Sequence, residues 1–414
     1  MRRRVAILSV TVFMLIGCGS SGSDNSERVA DNGGETKFET KEKLGESLFF
    51  DKNLSLTKST SCATCHDPKH GFADARHTVA GNNNPVNGAL SVGDDGVSLG
   101  GRNAPTAAYA KFSPAFDPAE IKGGQFHDGR AATLKDQAMG PPLDGAEMMM
   151  PDKKSVVDRI KDNPKYVASF KALYGEDIFK DIDASFEAMG EAIGKFEKTD
   201  EFAPFDSKYD KYVDCINTGK EASTCLTEGK WSDSEKLGLE LYFDKDKTNC
   251  VECHQLKDSS GVAGETFTKY KYHNIGVPKN LVALKARAEL GLADANATDH
   301  GVLGTVPTAT NKDGAVKVPT LRNVAITSPY MSNGIFQKLS TVLRFYNHMG
   351  DGGTGAREPL NPETNQPWGE PDVDGASISK EKLTMPELDD TQIEALEAFL
   401  NTLTDERYEH LLKK

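Results

Sequence analysis

The apolar residues of this chain recur at three- and four-residue spacing in short segments that are separated by polar stretches. Two segments show this spacing most clearly, 183–199 and 389–403, and their apolar residues are Phe186, Met189, Ile193 and Phe196, then Ile393, Leu396, Leu400 and Leu403. Such spacing places the side chains on one face of a helix. Few segments alternate with the period of a strand. The pattern therefore predicts a mostly α-helical protein with long Gly-, Pro- and Asn-rich loops.

An internal repeat divides the chain. The segments KLGESLFFDKNLSLTKSTSCATCH (43–66) and KLGLELYFDKDKTNCVECH (236–254) share Lys-Leu-Gly, a Leu, an aromatic residue, Phe-Asp-Lys and a Cys-x-x-Cys-His run. Before the second copy, Ser232 and Glu235 fit a helix capping box. Each copy predicts a helix that leads into a loop. Because 414 residues suffice for two domains, we expect one domain over 37–205 and a second over 206–414.

The repeated Cys-x-x-Cys-His run is typical of covalently attached c-type haem. The two runs are Cys62, Cys65 and His66, then Cys250, Cys253 and His254. The cysteines would form thioether links to the porphyrin and the histidine would reach the iron. Zinc is the alternative, but it would need two more Cys or His ligands close by. Two such runs in one secreted chain favour two haems.

The N-terminus has the features of an export signal. MRRR is followed by VAILSVTVFMLIG, an apolar run too short to span a bilayer, which predicts a signal peptide over 1–17. LIGC resembles the bacterial lipobox, so Cys18 would be lipidated; an ordinary signal peptide cleaved nearby is the alternative. Residues 18–36 read as a flexible tether. We expect a protein on the periplasmic side of a bacterial membrane, and Gly19 after the lipidated cysteine favours the outer membrane.

The remaining cysteines and the net charge add two expectations. Of seven cysteines, Cys215 and Cys225 are left without lipid or haem, and an oxidising compartment favours a disulfide between them over two free thiols. The net charge of −13 argues against a nucleic acid partner. It is compatible with a small basic cytochrome that docks electrostatically as electron donor. The oligomeric state stays open, with a homodimer among the alternatives.

The order of the motifs resembles the bacterial di-haem cytochrome c peroxidase family, which includes the MauG-like enzymes. The matching segments are LFFDKNLSLTKSTSCATCHDPKHGF, GGRNAPT, GQFHDGRAATLKDQAMGPPLDGAEM, LGLELYFDKDKTNCVECH and VPTLRNVAITSPYMSNG. The resemblance implies two cytochrome c-like domains with facing haems. The haem of 37–205 would be the peroxidatic one, and that of 206–414 would transfer electrons.

The resemblance also implies an activity. We expect a peroxidase that reduces hydrogen peroxide to water with electrons from a c-type cytochrome or a similar periplasmic donor. The first alternative is a MauG-like oxidase that uses peroxide to modify a partner protein or a small substrate. The second alternative, a di-haem electron carrier without a catalytic haem, fits the motifs less well.

The segment DQAMGPPLDGAEMMM supplies the candidate catalytic residues of the first haem. Gln137, Pro141 and Glu147 match the family's distal pocket. Peroxide cleavage needs a group that moves a proton between two oxygens, and a carboxyl such as Glu147 with a raised pKa suits that task. Gln137 can hydrogen-bond peroxide, and Pro141 cannot ligate the iron. A plain turn with a solvated glutamate is the alternative.

The segment FQKLSTVLRFYNHMGDGG contains three candidates for the sixth ligand of the second haem, Tyr346, His348 and Met349. Tyr346 matches the position occupied by tyrosine in MauG-like enzymes, whereas the electron-transferring peroxidases have methionine, for which Met349 is the candidate. A thioether ligand raises the haem potential, whereas a phenolate favours the ferric state. We expect Tyr346, with Met349 as the alternative, so the choice bears on the function.

Two further residue sets follow from the resemblance. The family usually has Trp in the motif QFWDGR between the haems, whereas this chain has His127 in that place. His127 would slow electron transfer between the haems, act near a haem as a ligand or hydrogen-bonding group, or simply pack there.

A calcium ion between the domains is also implied, held by Asn103 and by the backbone carbonyls of Thr327 and Pro329, since oxygen donors suit Ca²⁺.

Overall fold

The computed structural model describes residues 36–76, 84, 86–373 and 375–412. The predicted signal peptide (1–17), the predicted lipid attachment site Cys18 and all of the predicted tether except its last residue lie outside this part of the chain. Export and lipid anchoring therefore stay predictions. Within the described ranges, no helix is both long enough and apolar enough to span a bilayer.

Helices dominate the described chain, as the apolar pattern predicts. The α-helices are α1 (Lys41–Phe50), α2 (Cys62–Cys65), α3 (Leu134–Ala138), α4 (Lys153–Lys161), α5 (Pro164–Tyr174), α6 (Ile182–Phe196), α7 (Lys208–Asn217), α8 (Ala222–Glu228), α9 (Asp233–Phe243), α10 (Cys250–Cys253), α11 (Leu281–Glu289), α12 (Leu339–Met349) and α13 (Asp390–Asn401). Short 3₁₀ turns lie at Lys52–Leu54, Ala110–Phe112, Pro141–Leu143, Ile178–Lys180, Asp200–Phe202, Gly301–Gly304, Thr310–Lys312, Val324–Ile326, Lys380–Lys382 and Glu406–Leu411.

The strands are short and form two antiparallel pairs in the described residues. β1 (Tyr272–His273) pairs with β2 (Val316–Lys317), and β3 (Leu360–Asn361) pairs with β4 (Gln366–Pro367). In the first pair Tyr272 faces Lys317, which sets its register. These short pairs connect loops by hydrogen bonds, and neither is large enough to form one side of a hydrophobic core.

The helix that precedes the second haem motif begins as the sequence predicts. Ser232 and Glu235 form a reciprocal capping box, in which the Glu235 carboxylate accepts from the Ser232 amide at 2.6 Å and Ser232 Oγ accepts from the Glu235 amide at 3.2 Å. Such a box satisfies backbone donors that a helix leaves unpaired at its N-terminus.

The predicted disulfide is confirmed as well, because Cys215 of α7 is bonded to Cys225 of α8.

The buried apolar residues form two large cores. One contains residues from Leu44 to Ala203 and the other residues from Tyr209 to Leu403. The predicted apolar stripes are both buried, and they belong to the first core at Phe186, Met189, Ile193 and Phe196 and to the second at Ile393, Leu396, Leu400 and Leu403. Two smaller clusters combine residues from both sides of position 205, so the division into domains 37–205 and 206–414 stays a prediction.

Each core is built around the same helix crossing. Gly45 of α1 lies against the Ala192 carbonyl of α6, and Gly238 of α9 lies against the Ala395 carbonyl of α13. A β-carbon at either glycine would overlap that carbonyl. The repeated Lys-Leu-Gly motif therefore has a structural reason, since only glycine lets the two helix backbones approach so closely.

A buried ion pair connects the segments around the second core. Arg322 is fully buried, and its guanidinium donates to both carboxylate oxygens of Asp210 at 2.5 and 2.8 Å. It also donates to the Glu265 carbonyl through Nε at 2.9 Å and through a second nitrogen at 2.7 Å. Aromatic rings surround the guanidinium, with Phe205 from the first core and Phe267 from the second both near 5 Å. All of the charge on Arg322 is therefore compensated inside the protein.

This arrangement gives the first prediction. Replacing Arg322 with Met leaves the Asp210 carboxylate buried without its cation, and such a loss costs about 3–5 kcal/mol of folding free energy. The free energy of unfolding is measured by chemical denaturation. As the control, Lys154→Met removes an exposed lysine of α4 whose partner Asp158 is also exposed, and this is expected to cost only about 0–1 kcal/mol. Equal losses for the two variants would contradict the role given to Arg322.

Candidate functional site

Both predicted haem-ligating histidines are oriented in the same way. His66 follows α2 and its Nδ1 lies 3.2 Å from the Phe72 carbonyl, while His254 follows α10 and its Nδ1 lies 3.1 Å from the Phe267 carbonyl. A carbonyl only accepts, so each Nδ1 carries the hydrogen and each Nε2 keeps its lone pair. Metal-ligating histidines are typically held by such a bond.

The charge state of these imidazoles also suits a ligand. Burial lowers the pKa of His66, and burial lowers that of His254 to about 4, although the carbonyls of Phe72 and Phe267 oppose the shift. Both rings are therefore neutral at physiological pH, and a neutral imidazole is the form that binds metal.

The two supporting phenylalanines share an unusual backbone. Phe72 has φ 54° and Phe267 has φ 53°, in the left-handed region that bulky residues rarely adopt. Such residues cost about 1–3 kcal/mol and persist only where the surrounding structure fixes them. The shared conformation aims a carbonyl at each histidine.

A Pro-Thr dipeptide fixes each of these turns. Thr106 Oγ1 donates to the Gly71 carbonyl at 2.5 Å, and Thr320 Oγ1 donates to the Thr266 carbonyl at 2.7 Å. In each case the accepting carbonyl belongs to the residue just before the strained phenylalanine. Sequence reasoning missed this role, although NAPT (103–106) and KVPT (317–320) repeat the dipeptide and gave a usable signal.

The first haem motif opens into a cavity of about 560 Å³. The structure brings the predicted distal residues to this cavity, since Gln137, Pro141 and Glu147 line it together with His66 and Cys65. Gln137 lies near the end of α3, and Pro141 begins the 3₁₀ turn that follows. The sequence motif therefore corresponds to one wall of a cavity and not to an isolated turn.

Glu147 has the electrostatic environment of a proton carrier. Burial, helped by the nearby charge of Asp144 and opposed by Arg130, raises its pKa to about 7. The direction agrees with the sequence prediction. A carboxyl with a pKa near the working pH can both accept and release a proton.

Asp94 positions the backbone of Glu147 and was missed by the sequence analysis. Its amide donates to the Glu147 carbonyl at 2.8 Å. Its carboxylate accepts from Ser55 Oγ at 2.7 Å, from the Thr57 amide and from both donors of Ser59. Although burial opposes it, these bonds hold the pKa of Asp94 well below its usual range. Asp94 thus ties the loop before the first haem motif to the opposite cavity wall.

The second haem motif opens into a cavity of about 310 Å³. Cys250, Cys253 and His254 line it, and so does Tyr346 of α12. Burial raises the pKa of Tyr346, and Cys253 and Cys250 add to this shift. A cation in the cavity would be needed to ionise the phenol, as metal ions do for their ligands.

The other two candidates for the sixth ligand lie elsewhere. Met349 is buried, but its methyl group lies beside Gly276, and Met349 is not among the described residues that line the second cavity. His348 is held by the Arg357 carbonyl at 2.5 Å and stacks on Trp368. Of the three neighbouring candidates, Tyr346 is therefore the one that borders the cavity.

A common wall separates the two cavities. The described residues that line both are Asn103, Ala104, Pro105, Thr106, Ala110, Gln125, Phe126 and His127. Pro105 and Thr106 belong to the segment that supports the first histidine, so the same stretch of chain borders both haem sites. A change in this wall would act on both cavities.

His127 lies in the common wall and has a defined tautomer. Its Nε2 lies 2.9 Å from the Asn103 carbonyl, so Nε2 carries a hydrogen and is not available as an iron ligand. Burial and the nearby Arg102 lower the pKa of His127 to about 4, although the Asn103 carbonyl opposes the shift. A neutral, hydrogen-bonded imidazole therefore stands where the family usually has an indole.

The predicted calcium ligands also border the second cavity. Asn103, Thr327 and Pro329 all line it, and the Asn103 side chain donates through Nδ2 to the Ala89 carbonyl at 3.1 Å. Among the residues that the structure describes, no group of three or more His, Cys, Asp or Glu could hold a metal ion. The predicted site uses none of these residue types, so the calcium ion stays a prediction.

The residues of both cavities fit a covalently bound haem. Each Cys-x-x-Cys run has two free thiols. Cys65 borders the first cavity, and Cys250 and Cys253 border the second, in each case with an oriented neutral histidine. Each cavity has a volume of several hundred cubic ångströms. This donor set supplies the thioether links and the axial nitrogen of a c-type haem.

Comparisons with known proteins agree with this chemistry. Residues 39–217 match the family described as di-haem cytochrome c peroxidase. The chain is 44% identical to the methylamine utilization protein MauG of Paracoccus denitrificans over 377 residues, which are 90% of each protein. It is 30% identical to the cytochrome c551 peroxidase of Pseudomonas aeruginosa over 310 residues, which are 74% of this chain and 72% of that protein.

A solved structure is similar along most of its length. The di-haem peroxidase BthA of Burkholderia thailandensis has a TM-score of 0.70 at 29% identity, covering 91% of this chain and 89% of that chain. The similarity therefore extends over about nine-tenths of each chain.

The position of Tyr346 gives the second prediction. In the ferric holoprotein, Tyr346→Phe is expected to change the spectrum of the second haem, because the variant removes the oxygen that borders its cavity. Met349→Leu, which alters a buried side chain at the same end of α12, is the matched control and should leave the spectrum unchanged. The measurement is absorption and electron paramagnetic resonance. An altered spectrum in Met349→Leu with an unaltered one in Tyr346→Phe would instead identify methionine as the ligand.

Proposed function

This chain belongs to the di-haem cytochrome c peroxidase family, and we propose that it binds two c-type haems and uses hydrogen peroxide as its oxidant. The observation that carries the proposal is the first cavity, which gathers His66, Gln137 and Glu147 on its walls. In this proposal the residues 37–205 and 206–414 are two cytochrome c-like domains. Each would contain one of the two cores and one haem motif.

The chain holds each haem through one Cys-x-x-Cys-His run. In the first cavity these residues are Cys62, Cys65 and His66, and in the second they are Cys250, Cys253 and His254. When bound, the haems supply the redox chemistry, which is the activation of peroxide and the storage of oxidising equivalents. Everything else is the work of the protein, which positions the ligands, excludes solvent and moves protons.

Three residues of the first cavity act on peroxide. Glu147 accepts a proton from one peroxide oxygen and returns it to the other, which then leaves as water. Gln137 orients the peroxide by hydrogen bonding. Pro141 has no side-chain donor or acceptor, so it keeps its part of the wall free of ligands. Complete reduction consumes two electrons and two protons for each peroxide and yields two waters.

The second cavity supports a MauG-like use of these equivalents. Tyr346, and not Met349, borders that cavity. An anionic oxygen ligand favours the ferric state, whereas a thioether raises the potential of a haem that stores electrons. The proposed role of Tyr346 therefore favours an enzyme that oxidises a partner protein or a small substrate. The 44% identity to MauG supports the same assignment.

A cytochrome c peroxidase is the second candidate function. The cytochrome c551 peroxidase of Pseudomonas aeruginosa is among the relatives, and the chain's net charge of −13 suits the docking of a small basic cytochrome. Docking of that kind would raise the rate of association and lose strength in salt. The two candidate functions share the chemistry of the first cavity. They differ in the source of the electrons that reach the second haem, which is an oxidised partner protein or small substrate in one case and a small cytochrome in the other.

His127 influences both candidates. An indole is readily oxidised and can pass an electron vacancy between haems, whereas an imidazole is much harder to oxidise. Because His127 is neutral and bonded to the Asn103 carbonyl, we propose that electrons cross the common wall by a route that does not oxidise this side chain. A periplasmic location, a lipid anchor at Cys18 and a calcium ion held by Asn103, Thr327 and Pro329 belong to the proposal as well.

Glu147→Gln tests the first cavity. The variant keeps the size and the hydrogen bonding of the side chain but cannot carry the proton, and general acid–base terms are typically worth about 10²–10⁴ in rate. We expect peroxide consumption to fall within that range. Because the carboxylate must accept the first proton, wild-type kcat/KM should rise as pH increases through about 7, and the variant should lose this rise.

The matched control for this prediction is Glu191→Gln, which changes a carboxyl of α6 that pairs with Lys41 and is not among the described residues that line the cavity. It should keep most of the activity. Peroxide consumption by Glu147→Gln within threefold of wild type, with two haems bound, would remove Glu147 from the proton-carrying role.

A cytochrome assay separates the two candidate functions. Wild-type protein is mixed with hydrogen peroxide and a reduced small basic c-type cytochrome, and the oxidation of that cytochrome is followed. A MauG-like enzyme should oxidise it slowly, and Tyr346→Met should speed this reaction by raising the potential of the second haem. Fast oxidation by the wild type, unaffected or slowed in Tyr346→Met, would favour the cytochrome c peroxidase.

A further inference from the structure

A second buried glutamate lies in the first cavity and has no role in the function described above. Glu197 directly follows α6, lines this cavity and is only 4% exposed. Its Oε2 is buried without a hydrogen-bond partner among the described residues. A buried carboxyl of this kind is costly unless it is neutral or compensated by a charge that is present in the working protein.

The duplicated architecture shows that this carboxyl is not needed for the fold. Glu197 lies five residues after Ala192, which meets Gly45 at the helix crossing of the first core. The position five residues after Ala395, which meets Gly238 in the second core, is occupied by Leu400. Leu400 lines the second cavity. Equivalent positions thus present a carboxyl to one cavity and an aliphatic side chain to the other.

Lysines on the elements around α6 are paired with other residues. Lys41 of α1 pairs with Glu191, Lys135 of α3 with Glu187, Lys153 of α4 with Asp183, and Lys111 with Asp200. On α2, the titratable neighbour of Glu197 is Cys62, which becomes a neutral thioether once haem is attached. The ammonium groups of these lysines therefore pair with carboxylates other than that of Glu197.

Across the cavity stand groups of both signs. The basic or imidazole side chains that line it are His66, Arg102, His127, Arg130, Lys279 and Arg287, and the acidic ones are Asp128, Asp144, Glu147, Asp299 and Asp372. Arg102 pairs with Asp128 and Asp299, and Arg130 pairs with Asp128. Burial raises the pKa of Glu197 to about 8, and no charged group contributes noticeably to this shift.

We propose, on the basis of the haem binding described above, that Glu197 takes up one proton when the iron of the first haem is reduced. In the ferric protein the positive charge of the iron centre stabilises the carboxylate. One electron from the donor removes that charge, and one proton from solvent then neutralises Glu197. Oxidation reverses both transfers, so the buried cavity keeps a constant charge. The second cavity, with Leu400 at the equivalent position, lacks this coupling.

The consequence is a difference in pH dependence between the two haems. Where the carboxyl is ionised in the ferric state and neutral in the ferrous state, each tenfold change in proton activity shifts a one-electron potential by about 59 mV. The potential of the first haem should therefore fall as pH rises through this window. The Glu197 coupling contributes nothing of this kind to the potential of the second haem.

The test is a spectroelectrochemical titration of the holoprotein at a series of pH values. Glu197→Gln and Glu197→Leu, of which the second copies the residue of the other unit, should reduce the slope for the first haem, and any slope that remains should be lost when Glu147→Gln is added. Glu191→Gln, on the same helix and paired with Lys41 at the surface, is the matched control and should keep the slope.

Haem content, measured by pyridine haemochrome assay and mass spectrometry, separates the possible failures. Wild-type protein without two haems would overturn the proposed function itself. With two haems bound in every variant, an unchanged slope in both Glu197 variants would overturn the role of Glu197 alone. A slope that disappears in Glu147→Gln but persists in Glu197→Gln would assign the proton to Glu147 and would also refute the proposal.

Discussion

The buried ion pair between Arg322 and Asp210 is the interaction on which the second haem site depends. Arg322 also binds the Glu265 carbonyl, and the Glu265 carboxylate accepts from the Phe267 amide at 2.6 Å. The Phe267 carbonyl in turn orients His254. The strained turn at Phe267 is therefore fixed by Arg322 at the Glu265 carbonyl and by the Glu265 carboxylate at the Phe267 amide. A strained conformation persists only where surrounding contacts fix it in this way. Loss of the ion pair would act on the ligand of the iron through two residues.

The next residue extends the same support to the first haem site. Asn323 donates to one oxygen of the buried Asp405 at 2.8 Å, and the Tyr109 hydroxyl donates to the other at 2.5 Å. Tyr109 closely follows Ala107, whose amide binds the Phe72 carbonyl that orients the first histidine. Arg322 and Asn323 thus link the two histidine supports.

Periodic and local features of the molecule were predictable from sequence, and long-range polar contacts were not. Helical stripes and the repeated haem motif follow from spacing, and the pairing of Cys215 with Cys225 follows from the count of cysteines. Asp94 and Asp405 were missed because an aspartate in a loop has no periodic signature, and Asp405 lies 296 residues from Tyr109. Choosing between Tyr346 and Met349 needed coordinates, since both lie on α12 and only one borders the cavity.

The duplicated scaffold explains how two similar sites can differ in chemistry. Both units use a glycine at the helix crossing, a Pro-Thr dipeptide and a left-handed phenylalanine to orient a histidine, so the proximal side of each site is fixed alike. Side chains that line the cavities differ between the two sites, where Glu147 and Glu197 face the first and Tyr346 and Leu400 face the second. The first cavity therefore contains titratable carboxyls, whereas no Asp or Glu is among the described residues that line the second. Because burial penalises charge so strongly, placing the carboxyls on one side of a common wall confines this proton uptake to the first site.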